Sequence, residues 1–91
     1  MTGDRADFRM SIPDALARRA DEYRRAALVA GYREIVDEVR ELLPLGNHPN
    51  PPAPRLTKRL ALLETLSGRR ALSGTLTARG VLAIAQRRAR G

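Results

Sequence analysis

The side chains able to do chemistry are few in kind. His48 is the single histidine and the chain has no cysteine. His48 stands in a proline-rich stretch, GNHPNPPAP, with no second histidine and no acid close in sequence. It reads as a solvated linker residue rather than a metal ligand or general base. Without cysteine there is no disulfide framework, thiolate nucleophile or Cys-based zinc site. The acids between residues 14 and 41 could pair for proton transfer. Their spacing instead matches ordinary solvated helix faces. No glycine-rich phosphate loop of the required spacing is present. The residues therefore point away from an enzyme, and no cofactor or metal is expected. What remains is charge.

The chain carries 17 Lys and Arg against 10 Asp and Glu, a net charge of +7. The excess is uneven. Residues 1–43 hold eight Arg and nine acids, a net of −1; residues 44–91 hold eight Arg, Lys58 and one acid, Glu64, a net of +8. Such asymmetry predicts a polyanion or an acidic protein as partner of the second half. Candidates for that contact are Arg69, Arg70, Arg87, Arg88 and Arg90. Lys58 is the single lysine among sixteen arginines, a bias that matches a GC-rich bacterial genome. Phe8, Tyr23 and Tyr32 are the only aromatics, and the apolar content is mostly Ala, Leu and Val, which suits closely packed helices. No stretch combines a basic start with an apolar run, so no signal peptide is expected. No apolar run approaches the roughly 18 residues of a membrane span. A cytoplasmic protein without membrane contact is the expectation.

The elements that must position these charges follow from pattern. Residues 7–12 alternate, with Phe8, Met10 and Ile12 on one face and Asp7, Arg9 and Ser11 on the other, as a strand does. Pro13 suits a first helical turn, and Asp14 suits the positive end of a helix. Leu16, Ala20, Tyr23 and Ala27 form one apolar stripe; Leu28, Tyr32, Ile35, Val39 and Leu42 form another, rotated by roughly 100°. One straight helix would need a very wide apolar face to use both. A break near Gly31 lets both stripes face one core, so two helices are favoured, 13 to about 28 and about 32 to 43. No Ser, Thr, Asp or Asn stands before Tyr32 to cap the second.

Residues 44–54, PLGNHPNPPAP, hold five of the six prolines and read as an extended, semi-rigid linker. Residues 55–66 form a helix with Leu56, Leu60 and Leu63 on one face, closed by Ser67-Gly68. The last stretch, TLTARGVLAIAQRRARG, reads as a helix or as a hairpin turning at ARG; helix is taken.

A lone strand leaves its backbone groups unpaired, and the same strand of a second chain would pair them. The opening FRMSIPDALARR resembles that of ribbon-helix-helix proteins of the CopG/Arc/MetJ kind. Those open with an alternating strand, then Pro, an acid and Leu, here Phe8 to Ile12, Pro13, Asp14 and Leu16. The resemblance covers residues 7–43. It implies a homodimer binding DNA, with Arg9 and Ser11 reading bases and Tyr32 and Arg33 at a phosphate-facing helix start. Two features depart from the pattern: the missing cap before Tyr32, and the slightly acidic charge of this half.

The expected fold is mainly α. A short N-terminal strand and two helices form a ribbon-helix-helix-like dimer (7–43), followed by a proline-rich linker (44–54) and a helical basic C-terminal arm (55–91). The expected function is a homodimeric DNA-binding transcriptional regulator, with an antitoxin holding a toxin through its tail as one form. The alternative is a non-enzymatic helical adaptor or assembly protein. Its residues 13–43 would make the protein contact, and its basic half would bind nucleic acid or an acidic protein. Single-strand RNA recognition fits less well, because residues 44–91 contain no aromatic platform.

Overall fold

The computed structural model describes residues 11–43, 50–70 and 72–90. They form three helices: α1 (Ile12–Leu42), α2 (Pro54–Leu66) and α3 (Ala78–Ala89). No strand element occurs among the described residues; the one extended pairing is an isolated bridge between Pro52 and Thr77. The expected strand-helix-helix opening is therefore corrected. Ser11 is not a strand residue but the N-cap of α1, its hydroxyl accepting from the Asp14 N–H at 3.2 Å. Ile12 is already helical, and Asp7 to Met10 lie outside the described residues. An alternating run that ends in Ser-Ile-Pro-Asp carries both signals. The capping serine with Pro and Asp in the first turn decides its last two residues.

The second correction concerns Gly31. Helix α1 runs through it for 31 residues without a break. Gly31 is instead a contact residue. A Cβ at this position would stand 3.0 and 3.1 Å from the two δ-methyls of Leu63 on α2. The glycine lets α2 lie close to α1. The helix tolerates it because Leu28 before it and Tyr32 after it both pack against the core. Tyr32, Ile35, Val36 and Val39 are buried from there on.

The two apolar stripes of α1 thus have different fates. The second faces α2 and α3. The face that continues it towards the N-terminus carries Asp14, Arg18, Asp21 and Arg25, which cannot be buried. The first stripe, Leu16, Ala20, Tyr23 and Ala27, points away. On an ideal wheel it is centred about 150° from the buried residues. Residues 11–27 are all exposed. About 24 Å of α1 therefore stands clear of the bundle.

Helices α2 and α3 run parallel to each other and antiparallel to α1. Their N-termini are tied together: the Ala53 N–H donates to the Leu76 carbonyl at 2.9 Å, and the Ala78 N–H donates to the Pro51 carbonyl at 2.7 Å. Thr57 Oγ donates to the Ala53 carbonyl and accepts from the Leu76 N–H, at 2.6 and 3.1 Å. Parallel neighbours need a return connection, here residues 67–77, which leaves α2 at Gly68 with φ +80°. That left-handed conformation is what a glycine after a helix end supplies. Residues 50–53, the end of the expected linker, are thus docked against the α3 start; Ala53 belongs to the core. Residues 44–49 lie outside the described residues. The last helix is real: Thr77 caps it by accepting from the Gly80 N–H, and Ala78, Val81 and Ala85 are buried. Its core face is built from alanine and valine, so its pattern on a wheel looks weak.

A large residue at position 31 should test the contact role of Gly31. Gly31→Leu is expected to cost about 1–3 kcal/mol by overpacking. Leu63→Ala in the same chain should recover most of that loss. Urea unfolding of both single variants and the pair gives the coupling. Strict additivity would contradict the assignment.

Candidate functional site

The most ordered polar cluster lies where the C-terminal ends of α2 and α3 meet the middle of α1. Glu64 of α2 is 2% exposed and Tyr32 of α1 is 2% exposed. The Tyr32 hydroxyl donates to Glu64 Oε2 at 2.6 Å and shares a 3.1 Å bond with the Ser67 hydroxyl. Arg88 of α3 grips the same carboxylate with two nitrogens: Nε at 3.0 Å from Oε2 and Nη2 at 2.9 Å from Oε1. Sequence places Glu64 four residues after Leu60 and eight after Leu56, on the buried face of α2. An acid there needs partners, and the other two helices each send one.

The protonation states follow. Burial works to raise the Glu64 pKa, but the hydrogen bonds from Arg88 and Tyr32, with the Arg88 charge, outweigh it, so Glu64 sits below the ordinary carboxylate value. Burial, followed by the bond to Glu64, raises the Tyr32 hydroxyl. The bond to Glu64 raises Arg88 further. Every member is thus held in its usual charge state, with its hydrogen-bonding capacity turned inward. No buried side-chain polar atom among the described residues lacks a partner. This cluster is a clamp. An acid or base poised for proton transfer would instead have its pKa moved towards neutrality.

The residues expected from sequence to form sites are scattered. Arg9 lies outside the described residues. Ser11 caps α1. Tyr32 is in the core and bonded to Glu64, and Arg33 is exposed in mid-helix, so neither stands at a helix start where backbone N–H groups would meet phosphate. Arg88 is committed to Glu64. Arg69, Arg70, Arg87 and Arg90 are exposed, as are Arg55, Lys58 and Arg79. Arg59 is held by Glu38 and, at 3.6 Å, by Glu34. Among the described residues no cluster of three His, Cys, Asp or Glu side chains could hold a metal ion. No described helix is long and apolar enough to cross a membrane.

Two surfaces remain. One is the basic face of residues 50–90. Its single acid, Glu64, is buried, so this segment shows solvent cations and no carboxylate. The other is the clear-standing part of α1. There Ile12 is 75% exposed, Leu16 61% and Tyr23 68%. Sequence reasoning found this stripe but assigned it to the core. It missed Glu64 altogether, although a lone acid four and eight residues after core leucines is a legible sign of a buried pair.

Glu64 carries a prediction about acid. Its folded pKa lies below its unfolded value, so its stabilisation is fully present above about pH 4.3 and is lost as pH falls through the folded value. Glu64→Gln should cost about 2–3 kcal/mol at pH 7, leaving Arg88 half-buried without its counter-charge. The gap between variant and wild type should close as pH approaches about 3. Denaturant unfolding at several pH values measures it; a gap independent of pH would contradict the clamp. The chain matches no protein-family model, no curated protein and no solved structure.

Proposed function

We propose that this protein is a non-enzymatic helical adaptor or assembly protein. The bundle is the base. The first half of α1 is an arm for protein contact, and the basic face of residues 50–90 holds a polyanionic surface, nucleic-acid phosphate or an acidic protein. The observation that carries the reading is the arm: a helix whose first 16 residues, Ile12 to Ala27, are all exposed and present large apolar side chains on a face of their own. Scattered exposed leucines are normal on a protein surface, but a continuous stripe on a helix clear of the core is a contact face without its partner. A helix of this length has little stability alone in water, so burial by a partner strengthens it.

The basic face supports the second half of the proposal. Its arginines are not consumed by acids of their own segment. With no aromatic in residues 44–91, contact would run through charge rather than base stacking. The DNA-regulator reading keeps only this electrostatic part. Its base-reading strand lies mostly outside the described residues, and its second helix start lies inside continuous α1.

Binding to duplex DNA at several salt concentrations tests the basic face. Arg69→Ala with Arg70→Ala, and Arg87→Ala with Arg90→Ala, should each weaken binding equally on unrelated sequences. The log–log salt slope should fall by roughly 0.9 for each phosphate that a variant no longer neutralises. Leu16→Asp should leave the bundle's unfolding free energy within about 0.5 kcal/mol of wild type, since the arm is outside the core. Unchanged DNA binding in both arginine variants would assign the basic face to an acidic protein. A large loss of bundle stability in Leu16→Asp would show that the arm belongs to the core.

A further inference from the structure

The arm's exposed stripe has a size and charge pattern that fits itself. We infer that two copies of this chain pair their arms antiparallel, about a two-fold axis between Asp21 and Glu22. The inference rests on the arm being a protein-contact face and names the partner.

Size comes first. The stripe alternates large and small: Leu16, Ala20, Tyr23, Ala27, at spacings of four, three and four residues. That is a coiled-coil seam with large residues at one core position and alanine at the other. Turned end for end about the point between Asp21 and Glu22, the seam sets Leu16 against the partner copy's Ala27 position and Ala20 against its Tyr23 position. Each layer then holds one large and one small side chain, and the two backbones can approach closely. A parallel pair would stack leucine on leucine, tyrosine on tyrosine and alanine on alanine, leaving alternately crowded and empty layers.

Charge makes the same choice. Arg19 and Arg24 flank the seam on its two sides, about 60–80° from its centre on the wheel. In a parallel pair Arg19 of one chain meets Arg24 of the other, like against like. In the antiparallel pair Arg19 comes beside the Glu22 position of the second copy, and Arg24 beside its Asp21 position. Each of these pairs lies about 3 Å apart along the axis. The two-fold repeats both, giving four opposed charge pairs around one short seam.

The fold leaves room. The residues that face α2 and α3 lie about 150° around α1 from the seam. Two paired arms therefore carry their bundles on the outer sides of the pair. The dimer would hold two basic faces on one rod, and a polyanion long enough to reach both would gain from the linkage.

Sedimentation of the full chain with charge-swapped variants tests this. Wild type should be a dimer with a dissociation constant in the micromolar range, as befits a contact at the low end of specific interfaces. Asp21→Arg alone and Arg24→Glu alone should each be monomeric at a concentration where wild type is dimeric. The chain carrying both changes should dimerise again. An equimolar mixture of the two single variants should form a heterodimer, because each then offers the charge the other lacks. Circular dichroism of each variant confirms that the helices persist. A wild type that stays monomeric well above micromolar concentration, or single variants as dimeric as wild type, would overturn the inference. DNA binding measured on the same samples separates the two claims. A monomer that still binds through Arg69, Arg70, Arg87 and Arg90 would leave the adaptor reading standing without the dimer. A monomer that binds nothing would remove both.

Discussion

Everything in this molecule turns on the point near Leu28 where the apolar stripe of α1 changes sides. A helix can bury one face against a pair of neighbours. From Leu28 onwards that face holds Tyr32, Ile35, Val36 and Val39, all buried. Before Leu28 the same face holds Asp14, Arg18, Asp21 and Arg25. Neither α2 nor α3 gains by covering those charges, so both end level with the middle of α1. The length of the bundle, the existence of the arm and the direction in which the arm's apolar side chains point all follow from this shift of phase.

The end of the bundle needs its own fastening, because it is where three helices stop sharing an apolar core. Glu64 supplies it. One carboxylate takes a hydroxyl from α1 and a two-nitrogen grip from α3, while the backbone carbonyl of the same residue accepts from the Arg69 N–H at 2.8 Å. A charge so placed contributes little net stability over an apolar residue of the same shape, but its loss leaves Arg88 stranded. Its gain is specificity: the helices fit in one register, with Tyr32, Glu64 and Arg88 at one level. The opposite end of the bundle is fastened by backbone instead, through Pro51, Ala53, Leu76 and Ala78.

Much of this was legible before the structure. Pro13 and Asp14 mark a helix start, Leu56, Leu60 and Leu63 mark α2, Ser67-Gly68 marks its end, and the two stripes of α1 were both visible with their rotation. The error lay in one premise, that every apolar stripe must face the chain's own core. Under that premise Gly31 had to be a break. A glycine in a helix reads identically whether it ends the helix or admits a neighbour. Leu63, 32 residues away, decides between them, and no local pattern contains that contact. The opening alternation misled for a related reason: period two over six residues is short, and the capping signal of Ser11, Pro13 and Asp14 overlaps its end. Glu64 was hidden by counting it as a charge rather than placing it on its helix face.

The continuity of α1 through Gly31 is the claim on which the arm, its exposed stripe and the adaptor reading all depend. The chain has no cysteine, so spin labels can be placed cleanly at Arg18→Cys and Glu41→Cys and diluted with unlabelled chain. One unbroken helix predicts a single narrow distance between the labelled backbones of about 35 Å. A break at Gly31 that folds the two halves onto one core would bring the labels to roughly 10–20 Å, and that result would contradict the account.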